Sequence, residues 1–440
     1  MVPTMSSVTS RIPVLFDGAG AGAGELTWAQ LMIWQTMQQT GQSMNIGGAV
    51  PLPAGTPVEE MVHTLRFLLG RHQALRTRLQ FVPGAPPRQV VSAAGEATLE
   101  VIDIDPGDDA PAAAEELRGR YASVPFDHPA EWPVRMGVIR RDGGASHLVV
   151  MYSHLAIDAF GINEIVRDLA HLHDPGTPVT GLTPLELTAR QRTAAGHRQS
   201  QKSLRYWEQI LRTIPAQRFG DSGDPRGPRY WELTIRSRAM HLALQSIAHR
   251  TGIGASYVVL AVFAVALARR TGHSPVVAQL VVSNRFRPGC TDSISLLVQV
   301  GLCAIDVAGR TFDEVADRAW KAATNAYLHG YFDPRDLTDL LARVSHDRGE
   351  VDVSCLFNDR RTGGTTGPVA TPEQITAALP LTMTWWSRRL PVLDRRLIVS
   401  VNTAPDAVDI AIFADTHALA PPDIEALAHE MEAVSLQAAR

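Results

Sequence analysis

The chain has 440 residues, 45% of them hydrophobic and 20% charged, a length too great for one hydrophobic core and suited to two lobes of roughly 200 residues each. A net charge of −4 and a pI near 6.4 exclude the broad basic footprint of a nucleic-acid binder, while leaving room for small basic patches that dock an acidic partner. The longest apolar run, Tyr257 to Ala268, is flanked by Arg269 and Arg270 and is too short to span a bilayer, so no membrane span is expected.

The N-terminal stretch MVPTMSSVTSRIPVLF lacks the basic start and long apolar core of a signal peptide. It reads as the natural start of a discrete, cytoplasmic protein. Residues 17–24, DGAGAGAG, form a flexible leader before a capped helix from Thr27 to Gln39, with Trp28, Leu31 and Trp34 near helical spacing. A second helix is predicted from Val58 to His72, its apolar face built from Met61, Leu65, Leu68 and Leu69. Alternation from Ala74 to Phe81 predicts a strand. A strand pair follows at Val134–Arg140 and His147–Ser153, joined by the turn Asp142-Gly143-Gly144, and then a helix from Ile162 to His171.

Residues 174–200 are rich in Pro, Gly, Thr and polar groups, and part of this segment reads as the connection between lobes. The second half opens with a helix containing Leu204, Trp207, Ile210 and Leu211. It continues with an apolar helix at Ala255–Arg269 and a buried strand at Val276–Val282. A strand at Leu296–Val307 and a helix at Phe312–Leu328 come next. Strands are predicted at Asp352–Phe357, Leu381–Trp386 and Leu397–Asn402, and a closing helix at Pro421–Ala438. Helices and strands alternating in two halves predict an α/β or α+β protein. Cys290, Cys303 and Cys355 stand isolated among apolar residues with no CxxC pair, as buried free thiols rather than a disulfide framework or zinc site. His171 and His173 sit two apart, which is no helical ligand spacing, and are read as solvent-exposed. No metal site and no phosphate loop emerges.

The segment that carries chemistry is Ser153-His154-Leu155-Ala156-Ile157-Asp158-Ala159, at the end of the apolar run Leu148–Tyr152. A histidine at a strand end can project its ring into a crevice, where a neutral imidazole takes a proton from an attacking amine or hydroxyl. Asp158, after a short turn, can lock the backbone by pairing with a cation elsewhere. Taken alone, a single HxxxD is more often structural than catalytic.

Its context is more specific. Leu26-Thr27-Trp28-Ala29-Gln30 with Trp34, Arg71-His72-Gln73-Ala74-Leu75-Arg76-Thr77, the His154 segment and Tyr206-Trp207 occur in that order. They resemble the "LTxAQxxxW", "RHExLRT", "HHxxxDG" and "YW" motifs of the condensation domains of nonribosomal peptide synthetases. The stretch Gly254–Arg285, ending in Asn284-Arg285, resembles the long helix and strand that close on "NR" in that family. Leu296 to Asp306, His329 to Leu341 and Arg343 to Asn358 resemble its later segments in weaker form. The resemblance covers nearly the whole chain.

The resemblance implies two chloramphenicol-acetyltransferase-like lobes, residues 1–178 and 179–440, forming a V-shaped pseudo-dimer with a central tunnel, in a monomeric protein. It implies that His154 is the catalytic histidine, either deprotonating the nucleophile or stabilising the tetrahedral intermediate, that Asp158 and Arg285 are a structural ion pair, and that Ser153 supports the site. Ala159, Asn358, Trp385 and Trp386 are implied tunnel residues, although paired tryptophans are at least as often packing. Arg76 and His72 are implied to brace the motif loop. No cofactor is held permanently. The phosphopantetheine arms of peptidyl or acyl carrier proteins bring the donor, and the acceptor is a small molecule or is itself carrier-bound.

Two departures stand out. Ser153 replaces the first histidine of the motif and Ala159 replaces its glycine. Ser153 is expected to donate one hydrogen bond to the backbone or a neighbouring strand. Ala159 would be strained by about 1 kcal/mol if the position needed a positive φ; otherwise its methyl would narrow the tunnel. The reading is therefore a stand-alone condensation enzyme that makes an amide or ester. Its alternatives are a non-catalytic docking module for a carrier protein or tailoring enzyme, and a related acyltransferase with a lipid, polyketide or coenzyme A donor.

Overall fold

The computed structural model describes residues 8–174, 176–361 and 369–440; residues 1–7 of the N-terminal stretch lie outside the described residues. The chain divides into two compact units, Met1–His197 with Ser283–Val298, and Arg198–Val282 with Gln299–Arg440.

The first unit is built from β1 (Ser10–Asp17), β2 (Gly22–Glu25), α1 (Trp28–Thr40), β3 (Asn45–Thr56), α2 (Val58–Arg71), β4 (Thr77–Gln80) and β5 (Arg88–Val91). It continues with β6 (Ala94–Asp103), α3 (Ala110–Ser123), β7 (Val134–Arg141), β8 (Gly144–Ser153), α4 (Ala159–Asp168) and α5 (Pro184–Gln191). A five-stranded sheet runs in the order β1-β6-β7-β8-β3. Only the β6–β7 pair is parallel. Strand alternation sends neighbouring residues to opposite faces. Val138 and Tyr152 pack with Leu65 and Leu69 of α2, whereas Ile139, Val149 and Met151 pack with Leu117 and Tyr121 of α3. Both faces are thus covered, which explains the near-continuous apolar run in β8. The β7–β8 turn places Asp142 and Gly143 at positive φ, as a two-residue hairpin of the primed type requires.

A smaller sheet has the order β2-β5-β4. The glycine-rich leader is therefore a strand over Gly22–Glu25. Pairing with Arg88–Val91 satisfies its backbone, and a side chain at Gly22 or Gly24 would come within 3.1 Å of Leu185 on α5. The boundary at 178/179 also moves. Gln89 Nε2 donates to Pro184 O at 3.3 Å and to Thr188 Oγ1 at 2.9 Å, and Trp28 N donates to Gln191 Oε1 at 3.0 Å. These bonds fasten α5 to the first unit, and the division falls at His197/Arg198, inside the 174–200 segment but within the helix that follows α5.

The second unit comprises α6 (Ala194–Leu211), β9 (Tyr230–Ser237), α7 (Arg238–Thr251), α8 (Ala255–Thr271), β10 (Val276–Val282), β11 (Gln299–Ile305) and α9 (Phe312–Leu328). It closes with α10 (Pro334–Arg348), β12 (Cys355–Asp359), α11 (Pro372–Ala377), β13 (Met383–Leu390), β14 (Leu397–Ala404), β15 (Ala407–Asp415) and α12 (Pro421–Ala438). Its seven-stranded sheet runs β11-β10-β12-β14-β15-β9-β13. Helix α8 is apolar all round because it lies inside the core, with Val262, Phe263 and Ala264 fully buried. Gly272, in the left-handed conformation, ends it. Thr311 and Glu314 form a capping box at α9. Cys290, Cys303 and Cys355 are free and buried, and burial pushes the Cys303 and Cys355 thiols up to about 12.

Strand β9 was not predicted, because buried Glu232 breaks its apolar pattern. Arg388 neutralises that carboxylate and Ser387 donates its hydroxyl to it, each at 2.6 Å. Gly301 of β11 shows how tightly helix and sheet meet, since a Cβ there would lie 2.1 Å from Ala326 O of α9. Gly301→Ala should therefore cost about 1–3 kcal/mol, seen as a thermal midpoint lower by ~2–4 °C per kcal/mol. An unchanged midpoint would mean that α9 moves aside freely. Among the described residues no single helix is long and apolar enough to cross a membrane.

Candidate active site

The motif loop begins where β8 ends. Ser153, fully buried, still pairs with Asn45 of β3, and its hydroxyl accepts from Leu155 N at 3.3 Å. Sequence reasoning gave Ser153 a donor's role; the bond found makes it an acceptor that tightens the turn carrying His154. Ala156 N then donates to Ser153 O at 3.0 Å, and Leu155 and Ile157 are buried. His154 is left half-buried just ahead of these anchored hydrophobes.

His154 Nδ1 lies 2.9 Å from Ile157 O. A carbonyl oxygen only accepts, so Nδ1 carries the proton and, in the neutral ring, Nε2 holds the lone pair. Nε2 has no hydrogen-bond partner among the described residues. The loop thereby fixes a tautomer whose basic nitrogen is available.

Asp158 caps α4, its Oδ1 accepting from Gly161 N at 2.8 Å. The same carboxylate takes Arg285 Nη2 at 2.9 Å and Nη1 at 3.1 Å, and the amides of Leu297 and Val298 at 2.9 and 3.1 Å. Arg285 Nη2 also donates to Ser293 O and Ser295 O. Asp158 and Arg285 are both buried. Helix end, guanidinium and backbone amides all converge on this one carboxylate, so the pair ties the start of α4 to the backbone at Leu297 and Val298.

These contacts also explain the later segment. Strands β10 and β11 are antiparallel neighbours, with Val282 opposite Gln299, and Ser283–Val298 is the excursion between them that belongs to the first unit. The strand predicted at Leu296–Val307 starts only at Gln299, because the amides of Leu297 and Val298 are committed to Asp158. Asn284, the second residue of the excursion, has φ 56°, and its side chain donates to Leu297 O at 3.1 Å.

Ala159 is the first residue of α4, exposed and outside the positive-φ set. Replacing the motif's glycine therefore introduces no backbone strain. Asn358, Trp385 and Trp386 belong to the second unit. Asn358 pairs with Ser400 in the β12–β14 ladder. Trp386 packs edge-on against Trp231 with centroids 5.3 Å apart, and Trp385 is 39% exposed on edge strand β13.

Bracing of the motif loop comes from a residue quoted in the opening motif but given no role. Gln30, buried in α1, donates from Nε2 to Leu155 O at 3.2 Å, while its Oε1 accepts from Thr27 N at 2.8 Å. A polar residue at the third position of a helix signalled the capping box, but nothing local could show that its other end reaches the loop. Arg76 instead donates to Ala19 O and Ser92 O. The segment around it is a 3-10 turn over Gln73–Arg76 rather than strand, with Thr77 Oγ1 donating to Gln73 O at 2.6 Å.

His72 and Arg71 hold the far end of α4. His72 Nε2 lies 2.9 Å from Asp168 Oδ2, and Arg71 Nε lies 2.7 Å from it. Burial alone would raise the Asp168 carboxyl, but the close approach of His72 and then the hydrogen bonds from Arg71 outweigh it and hold the group well below the usual carboxylate range. A depressed carboxylate contributes stability above its unfolded value and loses it as pH falls. The thermal midpoint of the wild type should thus exceed that of Arg71→Met most clearly above about pH 4, and the gap should shrink below it. A gap independent of pH would refute the ionic contribution.

A family model described as Condensation domain matches residues 21–360. The chain is similar to phosphinothricin tripeptide synthetase PhsB of Streptomyces viridochromogenes, 25% identical over 361 residues that cover 78% of this chain and 30% of that protein. It is also similar to the AMB antimetabolite synthetase AmbB of Pseudomonas aeruginosa, 28% identical over 276 residues, 61% of this chain and 22% of that one. The chain spans less than a third of the length of these curated relatives.

Among solved structures it is similar to one of condensation domain-mediated chain release from the enacyloxin polyketide synthase (TM-score 0.71, 16% identity, 95% of this chain and 83% of that chain). The X-domain from teicoplanin biosynthesis matches with TM-score 0.70 and 19% identity over 94% of both chains. The SgcC5 protein of Streptomyces globisporus matches with TM-score 0.69 and 19% identity over 94% and 98%. At these identities the structures speak for the fold alone, and the fold is the mixed α/β, chloramphenicol-acetyltransferase-like one expected.

Proposed function

The chain belongs to the condensation-domain family, and we propose that it joins a carrier-bound acyl or aminoacyl thioester to an amine or hydroxyl. The observation that carries this reading is the His154 Nδ1–Ile157 O bond, 2.9 Å long, which leaves Nε2 as the base. As the nucleophile adds to the thioester carbonyl, its proton passes to Nε2. The tetrahedral intermediate then expels the phosphopantetheine thiol, to which the proton returns, and an amide or ester remains. The phosphopantetheine arm enters and leaves with its carrier, as substrate.

A second reading, a non-catalytic module that docks a carrier or a tailoring enzyme, draws on Ser153 and Ala159, where two motif positions have changed. Ser153 keeps the turn closed and Ala159 adds no strain, so neither replacement removes the proton acceptor, and the enzymatic reading is preferred. The test is to load candidate carriers with acyl groups and follow transfer to amine and alcohol acceptors by intact-protein mass spectrometry, using wild type and His154→Ala. Transfer that is lost in the variant supports the enzyme. Carrier binding by both proteins with turnover by neither supports docking and sinks the enzymatic reading.

A further inference from the structure

We propose that the first unit binds a small organic oxyanion, a carboxylate or a phosphate ester, in a cleft centred on Arg78 and floored by Trp132. The cleft has a volume of about 740 Å³, within the ordinary range for small-molecule sites. Arg78 lies on β4 beside Leu79. Leu79 packs in the cluster of α1, and its amide donates to His128 O at 2.9 Å. Alternation along the strand sends the Arg78 side chain the other way. Its guanidinium sits 3.6 Å from the centroid of the Trp132 ring. That shelf is itself fixed, because Trp132 Nε1 donates to Glu96 O at 2.8 Å and Phe16 packs edge-on against the ring at 5.2 Å.

What marks the site is an unmatched charge. Arg78 makes no ion pair and no side-chain hydrogen bond among the described residues, and its Nε is buried without a partner. The other arginines of the cleft are all matched. Arg11 and Arg120 both reach Glu100, at 3.2 and 3.0 Å. Arg135 reaches Glu131 at 2.7 Å and three backbone carbonyls. Tyr121 donates its hydroxyl to Glu100 as well. Glu96 and Asp127 also line the cleft, both exposed to water, and neither makes an ion pair with Arg78.

A partly buried cation without an anion is costly unless something neutralises it, and stacking on an indole offsets only part of that cost. With one face of the guanidinium on Trp132 and Nε enclosed, its Nη1/Nη2 edge is the part left to pair. That planar edge suits the two oxygens of a carboxylate or phosphate. The mixed polar lining suits a ligand that carries further polar groups. The site draws nothing from His154, so it stands apart from the transfer reaction proposed above.

The test uses the full chain. Thermal unfolding is followed while potassium phosphate or sodium succinate is titrated, with sodium chloride at matched ionic strength as the reference; the two oxyanions separate a phosphate site from a carboxylate site. Saturable stabilisation by at least one of them is expected in the wild type. In Arg78→Met, which keeps an aliphatic stem over Trp132, affinity should fall about tenfold or more. Tryptophan emission during the same titration gives a second readout that does not depend on that variant folding. A saturable change should be present in the wild type and absent in Trp132→Phe. A response matched by chloride, equal affinity in Arg78→Met, or an emission change that survives in Trp132→Phe would each overturn the assignment.

Discussion

Replacing Asp158 by alanine should lower the stability of the first unit by about 3–5 kcal/mol, because it strands a buried guanidinium and leaves three backbone amides without their acceptor. The carboxylate accepts from Arg285, Gly161 N, Leu297 N and Val298 N, and Asp158 is only 1% exposed. Calorimetry should show the midpoint of that unit falling by about 6–20 °C. Asp158→Asn should be nearly as harmful despite its shape. An amide in place of Oδ2 would turn an N–H toward the Leu297 and Val298 amides, donor against donor. Asp158→Ala combined with Arg285→Met should cost less than the sum of the two single changes, since the double variant no longer buries an unpaired charge. Strict additivity would show that the two side chains act independently.

Removing the proposed base should be the largest effect on turnover. His154→Ala should reduce acyl transfer by about 10²–10⁴-fold, the usual contribution of a positioned base, with carrier binding and the thermal midpoint little changed. His154→Asn sharpens the test. An asparagine amide can still donate to Ile157 O, where His154 Nδ1 now donates, but it offers no basic nitrogen in place of Nε2. Equal losses in both variants identify proton transfer as the role of the ring. Near-normal turnover in the asparagine variant would instead make His154 a positioning residue. Single-turnover mass spectrometry of loaded carrier separates the two outcomes.

Local patterns carried much of this protein. Apolar periodicity and caps fixed α1, α2, α9 and α12 to within about a residue of their expected bounds, because a helix records its buried face in its own spacing. The β7–β8 hairpin was equally legible through Asp142-Gly143. Where side chains answer to distant partners, local reading failed. Residues 17–24 looked like a leader because pairing with β5 is invisible in a glycine run. Buried Glu232 concealed β9 because its neutralising partner, Arg388, lies on β13. Leu296–Val298 looked like strand because the pull of Asp158 on two backbone amides has no side-chain signature.

The sequence by itself determined the family, through its ordered motifs, and singled out His154, Asp158 and Arg285 as the residues to examine. Which groups meet was decided only by the tertiary structure. The ion pair joins residues 127 positions apart, and Gln30 supports Leu155 across 125. The basic nitrogen of His154 is set by the carbonyl of Ile157, a backbone group common to every residue type and therefore silent in the sequence.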